Sequence, residues 1–257
     1  MKKIAVIPVR MGSSRFPGKP LALIHGMPMV EHCLRRTELA SCFDKVVVAT
    51  CDIEIESFVR EIGGDVIMTA NTHTRATTRT AEAVEILERE ESQVYDVVVM
   101  VQGDEALIPP STIAQTLPHF NDPGIDIVNI MSRMKSEKQL RDHNNVKVVI
   151  NKDGDAMYFS REPIPSLWKG VEDNPMYMQT GIIAFRKQTL TDFNAMEETT
   201  LEQIESVDMN RVIENGGKIR MVLADTATIG IDTPEELQEA ERLMKNDEVL
   251  ALYRRQA

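Results

Sequence analysis

Three short segments of the 257-residue chain carry residue types suited to chemistry on a phosphate. The first, Pro8-Val9-Arg10-Met11-Gly12-Ser13-Ser14-Arg15-Phe16-Pro17-Gly18-Lys19-Pro20-Leu21, gathers three cations, two hydroxyls and two glycines directly after an apolar run. Arginine offers a planar fork and lysine a point charge, so such a loop can wrap a polyphosphate. It has neither the G-x-x-x-x-G-K-[ST] of a P-loop nor the G-x-G-x-x-G of a dinucleotide site; the competing reading is a solvated basic loop. The second, Val97-Val98-Val99-Met100-Val101-Gln102-Gly103-Asp104-Glu105, sets an acid pair at the end of a β-branched run, behind a glycine that admits close backbone approach. Mg²⁺ takes one or two carboxylates together with substrate phosphate oxygens, which suits Asp104. A turn in which Asp104 caps the next helix is the plainer alternative. The third is Asp232, in Ile229-Gly230-Ile231-Asp232-Thr233-Pro234, 128 residues beyond Asp104 at another strand-to-helix junction. It is either a second metal carboxylate or an additional helix cap.

These loops need a scaffold. Short runs rich in Val and Ile alternate with helix-period segments through the first half, the pattern of βαβ units around a mostly parallel sheet. The spacing predicts strands at 4–9, 45–50, 65–68 and 94–101, with helices at 28–39, 53–62 and 77–89. Ligand chemistry in such sheets gathers at the carboxyl ends of strands, where the loops after Val9 and Val101 lie. From about residue 146 the pattern turns to hairpin spacing, with strands at 146–150 and 156–159 about a Lys152-Asp153-Gly154 turn and another at 181–185. A helix over 202–214, stopped by Gly216-Gly217, precedes a strand at 218–223. The last helix begins at Thr233-Pro234-Glu235-Glu236, with Thr233 as N-cap, proline at the first helical position and acids facing the helix dipole. No internal repeat or interdomain linker is visible. The fold class expected is α/β, a mostly parallel central sheet followed by a mixed-sheet second half.

With 29 Lys+Arg against 40 Asp+Glu, the net charge of −11 argues against non-specific binding to nucleic acid or to an anionic membrane. A phosphate ligand must therefore be met by a local cationic cluster. Cys33, Cys42 and Cys51 lack metal-ligand spacing and cannot all pair with one another, which suits a reducing cytosol. The apolar run after Met1-Lys2-Lys3 is too short for a signal peptide or a membrane span, so a cytoplasmic location is expected. His25, His32, His119 and His143 are scattered and read as surface or packing residues, and the 15 methionines as core filler. Trp168 and Tyr177 flank a polar loop at 169–175, either a lid or a hairpin connection.

Five ordered motifs resemble those of the cytidylyltransferases that activate 3-deoxy-D-manno-octulosonate (Kdo). Residues 8–21 are similar to P-A-R-x-x-S-x-R-x-P-G-K-P-L, 101–108 to V-Q-G-D-E-P-L-I, 158–165 to Y-F-S-R-x-P-I-P, 181–186 to G-I-Y-A-Y-R and 230–237 to G-x-D-T-P-E-D-L. The similarity runs over about residues 4–244. It implies a nucleotide-diphospho-sugar-transferase α/β sandwich, one domain over 1–257 with a nucleotide-binding half at about 1–130 and a sugar-binding and dimerisation half at about 131–257. It implies that Arg10, Ser13, Arg15 and Lys19 hold the CTP phosphates, that Thr77, Arg79 and Gln102 also serve the nucleotide, and that Asp104 and Asp232 bind Mg²⁺. Arg10, Lys19 and Asp104 are then the catalytic set, and Arg161, Gln179, Asp208 and Met209 the sugar contacts. The implied reaction joins CTP to a Kdo-type sugar acid, giving the CMP-sugar and pyrophosphate for lipopolysaccharide biosynthesis. The implied assembly is a homodimer with neither nucleic acid nor membrane as partner.

The chain departs from the family pattern mostly where the sugar should be read. His73-Thr74-Arg75-Ala76-Thr77-Thr78-Arg79 replaces H-x-S-G-T-D/E-R, Gln179-Thr180-Gly181-Ile182-Ile183 lacks the His that precedes G-I-Y, and Glu205-Ser206-Val207-Asp208-Met209-Asn210-Arg211 replaces E-S-L-E-Q-L-R. A polar pocket rejects ligands that leave its groups unpaired, so altered groups imply an altered set of substituents. An amine in place of a hydroxyl, as in 8-amino-3,8-dideoxy-Kdo, suits a pocket that keeps an acid while losing neutral partners; ordinary Kdo is the alternative. Two other classes compete: a glycosyltransferase using Asp153-Gly154-Asp155 for metal, and a non-catalytic nucleotide-binding regulator.

Overall fold

Runs that are apolar on both faces are stable only as interior strands, covered by helices on either side. The computed structural model, which describes residues 1–12, 15–170, 176–225 and 230–254, places them there. The chain divides into two compact units, Met1–Ala114 with Thr228–Ala257, and Gln115–Ala227. The last part of the chain thus belongs to the first unit.

The first unit opens with β1 (Lys3–Pro8), in which Ile4, Ala5, Val6 and Ile7 are fully buried. The small hairpin of β2 (Leu23–Ile24) and β3 (Met27–Pro28) leads into α1 (Met29–Leu39) and β4 (Lys45–Thr50). Next come α2 (Ile53–Glu61), β5 (Val66–Met68), α3 (Ala76–Glu91), β6 (Val97–Val101) and the short α4 (Pro110–Ala114). The strand order is β6-β1-β4-β5 with every pairing parallel, as the alternating pattern predicts. β6 begins at Val97 rather than residue 94, because Asp96 and Val97 turn their N–H groups onto the Lys2 carbonyl while Val94 stays exposed.

The second unit carries β7 (Ile127–Arg133), α5 (Glu137–Arg141), β8 (Lys147–Ile150), β9 (Ala156–Ser160), β10 (Tyr177–Arg186), α6 (Lys187–Ala195), α7 (Thr200–Glu205), α8 (Met209–Glu214) and β11 (Arg220–Leu223). Its sheet is mixed, as expected. β10 runs antiparallel to β7 and β8, β8 antiparallel to β9, and β11 parallel to β7. Sequence reasoning missed β7 because Asn129 interrupts its apolar run. The structure buries that residue, and its Nδ2 donates to the carbonyls of Ile130, Thr180 and Ile182. The single helix expected over 202–214 is two, broken at Ser206, whose φ of 53° no helix interior tolerates. Arg211 holds the pieces together through a buried two-pronged pair with Glu202, at 2.6 and 2.7 Å.

The chain then returns to the first unit with α9 (Pro234–Met244) and α10 (Glu248–Tyr253). α9 begins with the capping box foreseen at Thr233, completed by Glu236. α10 is too short to register in sequence periodicity.

Candidate active site

Two strand ends and one helix start build the site. The loop after β1 folds back on itself through Gly18 N–H to Met11 O at 3.1 Å and ends in a 3-10 turn over Lys19–Leu21. Gly18 lies in the left-handed region at φ 75°, which glycine adopts without strain, and this turns the chain so that Lys19 follows. Asp52 at the end of β4 anchors the same loop by accepting the Met11 N–H at 2.8 Å. After β6, Gly103 is forced by contact, since a Cβ there would lie 2.1 Å from Val9 Cγ1. The third segment is tied to the second through Ile231 N–H donating to the Asp104 carbonyl at 3.1 Å. Glu236 fixes it further by accepting the backbone N–H groups of Asp232 at 2.7 Å and Thr233 at 2.9 Å.

The side chains converge. Lys19 Nζ lies 2.9 Å from Asp104 Oδ2 and 2.9 Å from Asp232 Oδ1, and Arg15 Nη2 is 2.9 Å from Asp232 Oδ2. Burial alone would lower the Lys19 pKa, but the two carboxylate charges outweigh it and hold the ammonium above its ordinary value. Two carboxylates that meet at one cationic point are the hard-oxygen donor set that Mg²⁺ accepts, with its remaining positions left to phosphate and water. Among the described residues no group of three or more His, Cys, Asp or Glu could hold a metal ion by itself. The pair Asp104 and Asp232 fits a cation only if phosphate and water would supply its other ligands.

Around this centre, Arg10 is exposed and its Nη1 donates to the His73 carbonyl at 3.3 Å, so the cationic loop touches the segment that departs from the family pattern. His73 Nε2 meets Glu82 Oε2 at 2.5 Å; burial raises the Glu82 carboxyl, but the bonds it accepts from Ala70 N–H and His73 bring it below the usual range. Thr77 and Arg79 are buried in the first turn of α3. Arg79 Nη1 donates to Thr69 Oγ1 at 2.5 Å, while its Nη2 has no partner among the described residues. Gln102 is half-buried directly after β6. Ser13 lies outside the described residues.

The residues singled out for the sugar belong to the second unit. Arg161 follows β9 and is held by backbone, Nε donating to Glu205 O and Nη1 to His143 O, both at 2.8 Å. Gln179 on β10 donates to Asn129 Oδ1 at 2.8 Å. Asp208 is the N-cap of α8, and Met209 beside it is fully buried. Arg161 is therefore joined to the 205–206 segment that leads to Asp208 and Met209, while the Gln179 amide is engaged within the sheet.

Sequence reasoning passed over the two residues that organise this region. Glu205 accepts from Tyr158 Oη at 2.7 Å, Ser160 Oγ at 2.8 Å and Arg161 N–H at 2.8 Å. Lys147, fully buried, donates from Nζ to the carbonyls of Asp142, Asn145 and Arg161. A lysine inside an apolar strand run was the available signal for the second. Asp155 of the Asp153-Gly154-Asp155 turn pairs with Arg220 at 2.7 Å, a structural use of that carboxylate. Of the loop at 169–175, residues 171–175 lie outside the described residues. Cys33, Cys42 and Cys51 are free thiols, and His32 is buried, in keeping with a packing role.

The profile of a protein family described as cytidylyltransferase matches residues 4–219. The 3-deoxy-manno-octulosonate cytidylyltransferase of Pelobacter propionicus is 39% identical over 251 residues, covering 93% of this chain and 96% of that protein. That of Geobacter metallireducens is 40% identical over 250 residues, covering 93% and 96%. Among solved structures, a CMP:2-keto-3-deoxy-manno-octonic acid synthetase in complex with CTP superposes with a TM-score of 0.85 at 35% identity, over 95% of this chain and 98% of that one. A 4-diphosphocytidyl-2C-methyl-D-erythritol synthase from Anaerococcus prevotii, at 17% identity and a TM-score of 0.63 over 95% and 96%, shares the fold.

Proposed function

The chain belongs to the 3-deoxy-manno-octulosonate cytidylyltransferases, a family of nucleotidyltransferases, and on that premise we propose that it couples CTP to a Kdo-type sugar acid. The anomeric hydroxyl of the sugar attacks the α-phosphorus, the bond from that phosphorus to the β-phosphate oxygen breaks, and pyrophosphate and the hydroxyl proton depart. Such a transfer needs charge neutralisation and orientation rather than a covalent nucleophile. The observation that carries the reading is the convergence of Arg15, Lys19, Asp104 and Asp232 where two strand ends and a helix start of the first unit meet. Arg10, Ser13, Arg15 and Lys19 bind the phosphates in this reading, with Thr77, Arg79 and Gln102 serving the rest of the nucleotide. Asp104 and Asp232 would hold Mg²⁺, which when bound offsets charge on phosphate oxygens. Pyrophosphate release from CTP, Mg²⁺ and Kdo is the deciding assay. CTP binding without pyrophosphate from any keto-sugar acid would favour a regulator instead.

For the sugar itself we propose the 8-amino-3,8-dideoxy form, with ordinary Kdo as the alternative. The support is Gln179 in place of a titratable His and the Asp208-Met209 pair in place of Glu-Gln, which keeps one acid for an ammonium and removes a neutral partner. Met209 is buried and acts in this reading by shaping the backbone at Asp208. Measured side by side, kcat/KM should favour the amino sugar; a clear preference for Kdo overturns this refinement and leaves the cytidylyltransferase reading standing.

We further propose a homodimer working in the cytoplasm. Closed two-fold dimers are the commonest oligomers of globular proteins. No helix among the described residues is long and apolar enough to cross a membrane, and the free thiols suit a reducing compartment.

A further inference from the structure

Arg36 is among the largest fully buried side chains of the protein, and neither the phosphates nor the metal needs it. It lies one turn after His32 on α1, so the two share a face. Its Nη1 donates to the carbonyls of Leu107 at 3.2 Å and Ile108 at 3.3 Å, its Nε to Tyr253 Oη at 3.1 Å, and its Nη2 to Asp247. His32 completes the chain, with Nε2 at 2.9 Å from Ile24 O and Nδ1 at 2.8 Å from Tyr253 Oη. Burial lowers the His32 pKa, so the ring is neutral; the carbonyl requires a proton on Nε2, and Nδ1 therefore accepts the Tyr253 proton. Every donor then has one direction: His32 to Ile24, Tyr253 to His32, Arg36 to Tyr253 and to the 107–108 backbone.

That backbone closes the Asp104 loop. Glu105 N–H donates to Gln102 O and Ile108 N–H to Glu105 O, both at 3.1 Å, so residues 102–108 form two consecutive turns, with Asp104 inside the first and the Arg36 clamp at the end of the second. We propose that α10 is a positioning element for the reaction: Tyr253 and Asp247 aim Arg36 at the Leu107 and Ile108 carbonyls, and the clamp fixes where Asp104 presents its carboxylate. This rests on the reading of Asp104 as a metal-bearing carboxylate. Groups behind a metal ligand typically change metal affinity or activity by 10–100-fold when removed.

The test compares Tyr253→Phe, which keeps the ring and deletes only the hydroxyl, with Arg36→Lys, which keeps the charge and loses the fork. Arg35→Ala serves as the control: Arg35 bonds Glu38 and the Ile62 carbonyl, away from the loop. Mn²⁺ binding is read by the free-ion spin-resonance signal in the presence of a non-reacting α,β-methylene CTP analogue, alongside kcat, KM for the sugar acid and the melting temperature. The expected result is about 10-fold weaker Mn²⁺ binding and lower kcat in Tyr253→Phe and Arg36→Lys, unchanged sugar KM, and wild-type Mn²⁺ binding in Arg35→Ala even where its melting temperature falls. Should Arg36→Lys fail to fold, Tyr253→Phe decides. Wild-type Mn²⁺ binding in a folded Tyr253→Phe, with Asp104→Asn inactive, overturns the positioning role alone. Wild-type Mn²⁺ binding and turnover in Asp104→Asn overturn the metal assignment and this proposal together.

Discussion

Lys19 spans the two carboxylates on which the proposed chemistry depends, so changing any member of the set alters charge at one point. Asp104→Asn keeps the volume and removes one charge; turnover should fall by on the order of 10²-fold or more, with the circular dichroism of the wild type. Wild-type turnover in that variant removes Asp104 from the site. A second residue-level prediction concerns acid stability. Burial raises the Glu205 carboxyl, but three donated bonds, first that of the Arg161 N–H, outweigh it and leave its pKa below the ordinary 4.5. A depressed folded pKa contributes stability that is present above the unfolded value and lost as pH falls through the folded one. Glu205→Gln should therefore lose stability near neutral pH and show a shallower fall below about pH 4.5 than the wild type, as read by unfolding midpoints across an acid series. Residue types were legible here; the meeting of Asp104 with Asp232 was implied only by the family resemblance, and the ion pairs of Lys19 were not legible at all. Arg15, Lys19, Asp104 and Asp232 stand out in the sequence, yet Lys19 finds its partners 85 and 213 positions away, a matter of tertiary placement. The burial of Arg36 was invisible for the same reason, since partners 71 to 217 positions away make it tolerable; that of Lys147 left one signal, its place inside an apolar strand run.

Elements aim those residues, and two of them offer direct tests. Gly103→Ala would press a methyl into Val9, a buried β-branched side chain that cannot swing away; the expected loss is about 1–3 kcal/mol together with a displaced Asp104, seen as a lower melting temperature and reduced turnover. At the other junction, Glu236→Ala dissolves the capping box of α9 and frees the N–H groups of Asp232 and Thr233. A cap of this kind contributes about 1 kcal/mol, and turnover should fall beyond what that loss explains, because Asp232, the proposed metal carboxylate, loses its backbone anchor. Thr233→Ala, which spares the Asp232 N–H bond, should lose similar stability and retain more activity. The capping box was plain from Thr233 and Glu236 because caps are local chemistry. The break at Ser206 was not, because a left-handed serine between two helical runs leaves the apolar period almost intact. β7 was hidden by Asn129, whose amide is satisfied by carbonyls more than fifty positions away on β10.

At the scale of the molecule the assembly comes first. Sedimentation at micromolar concentration should give a species of about twice 28.9 kDa, and a 28.9 kDa species alone would set the dimer aside. The alternation of strands and helices announced the parallel sheet of the first unit, but nothing in local sequence told that the chain comes back to it. That return has a consequence during synthesis. Between Asp104 and Asp232 the ribosome adds 128 residues, a wait of about 6–26 s at translation rates of roughly 5–20 residues per second. Throughout it the nascent chain contains Asp104 but not yet Asp232, the carboxylate that Lys19 and Arg15 share in the finished fold. On the proposed roles of Asp104 and Asp232, a message broken upstream of codon 232 would yield a polypeptide with the strand sequences of the first unit and one of the two metal carboxylates, so incomplete products of translation should draw nothing from the nucleotide pool.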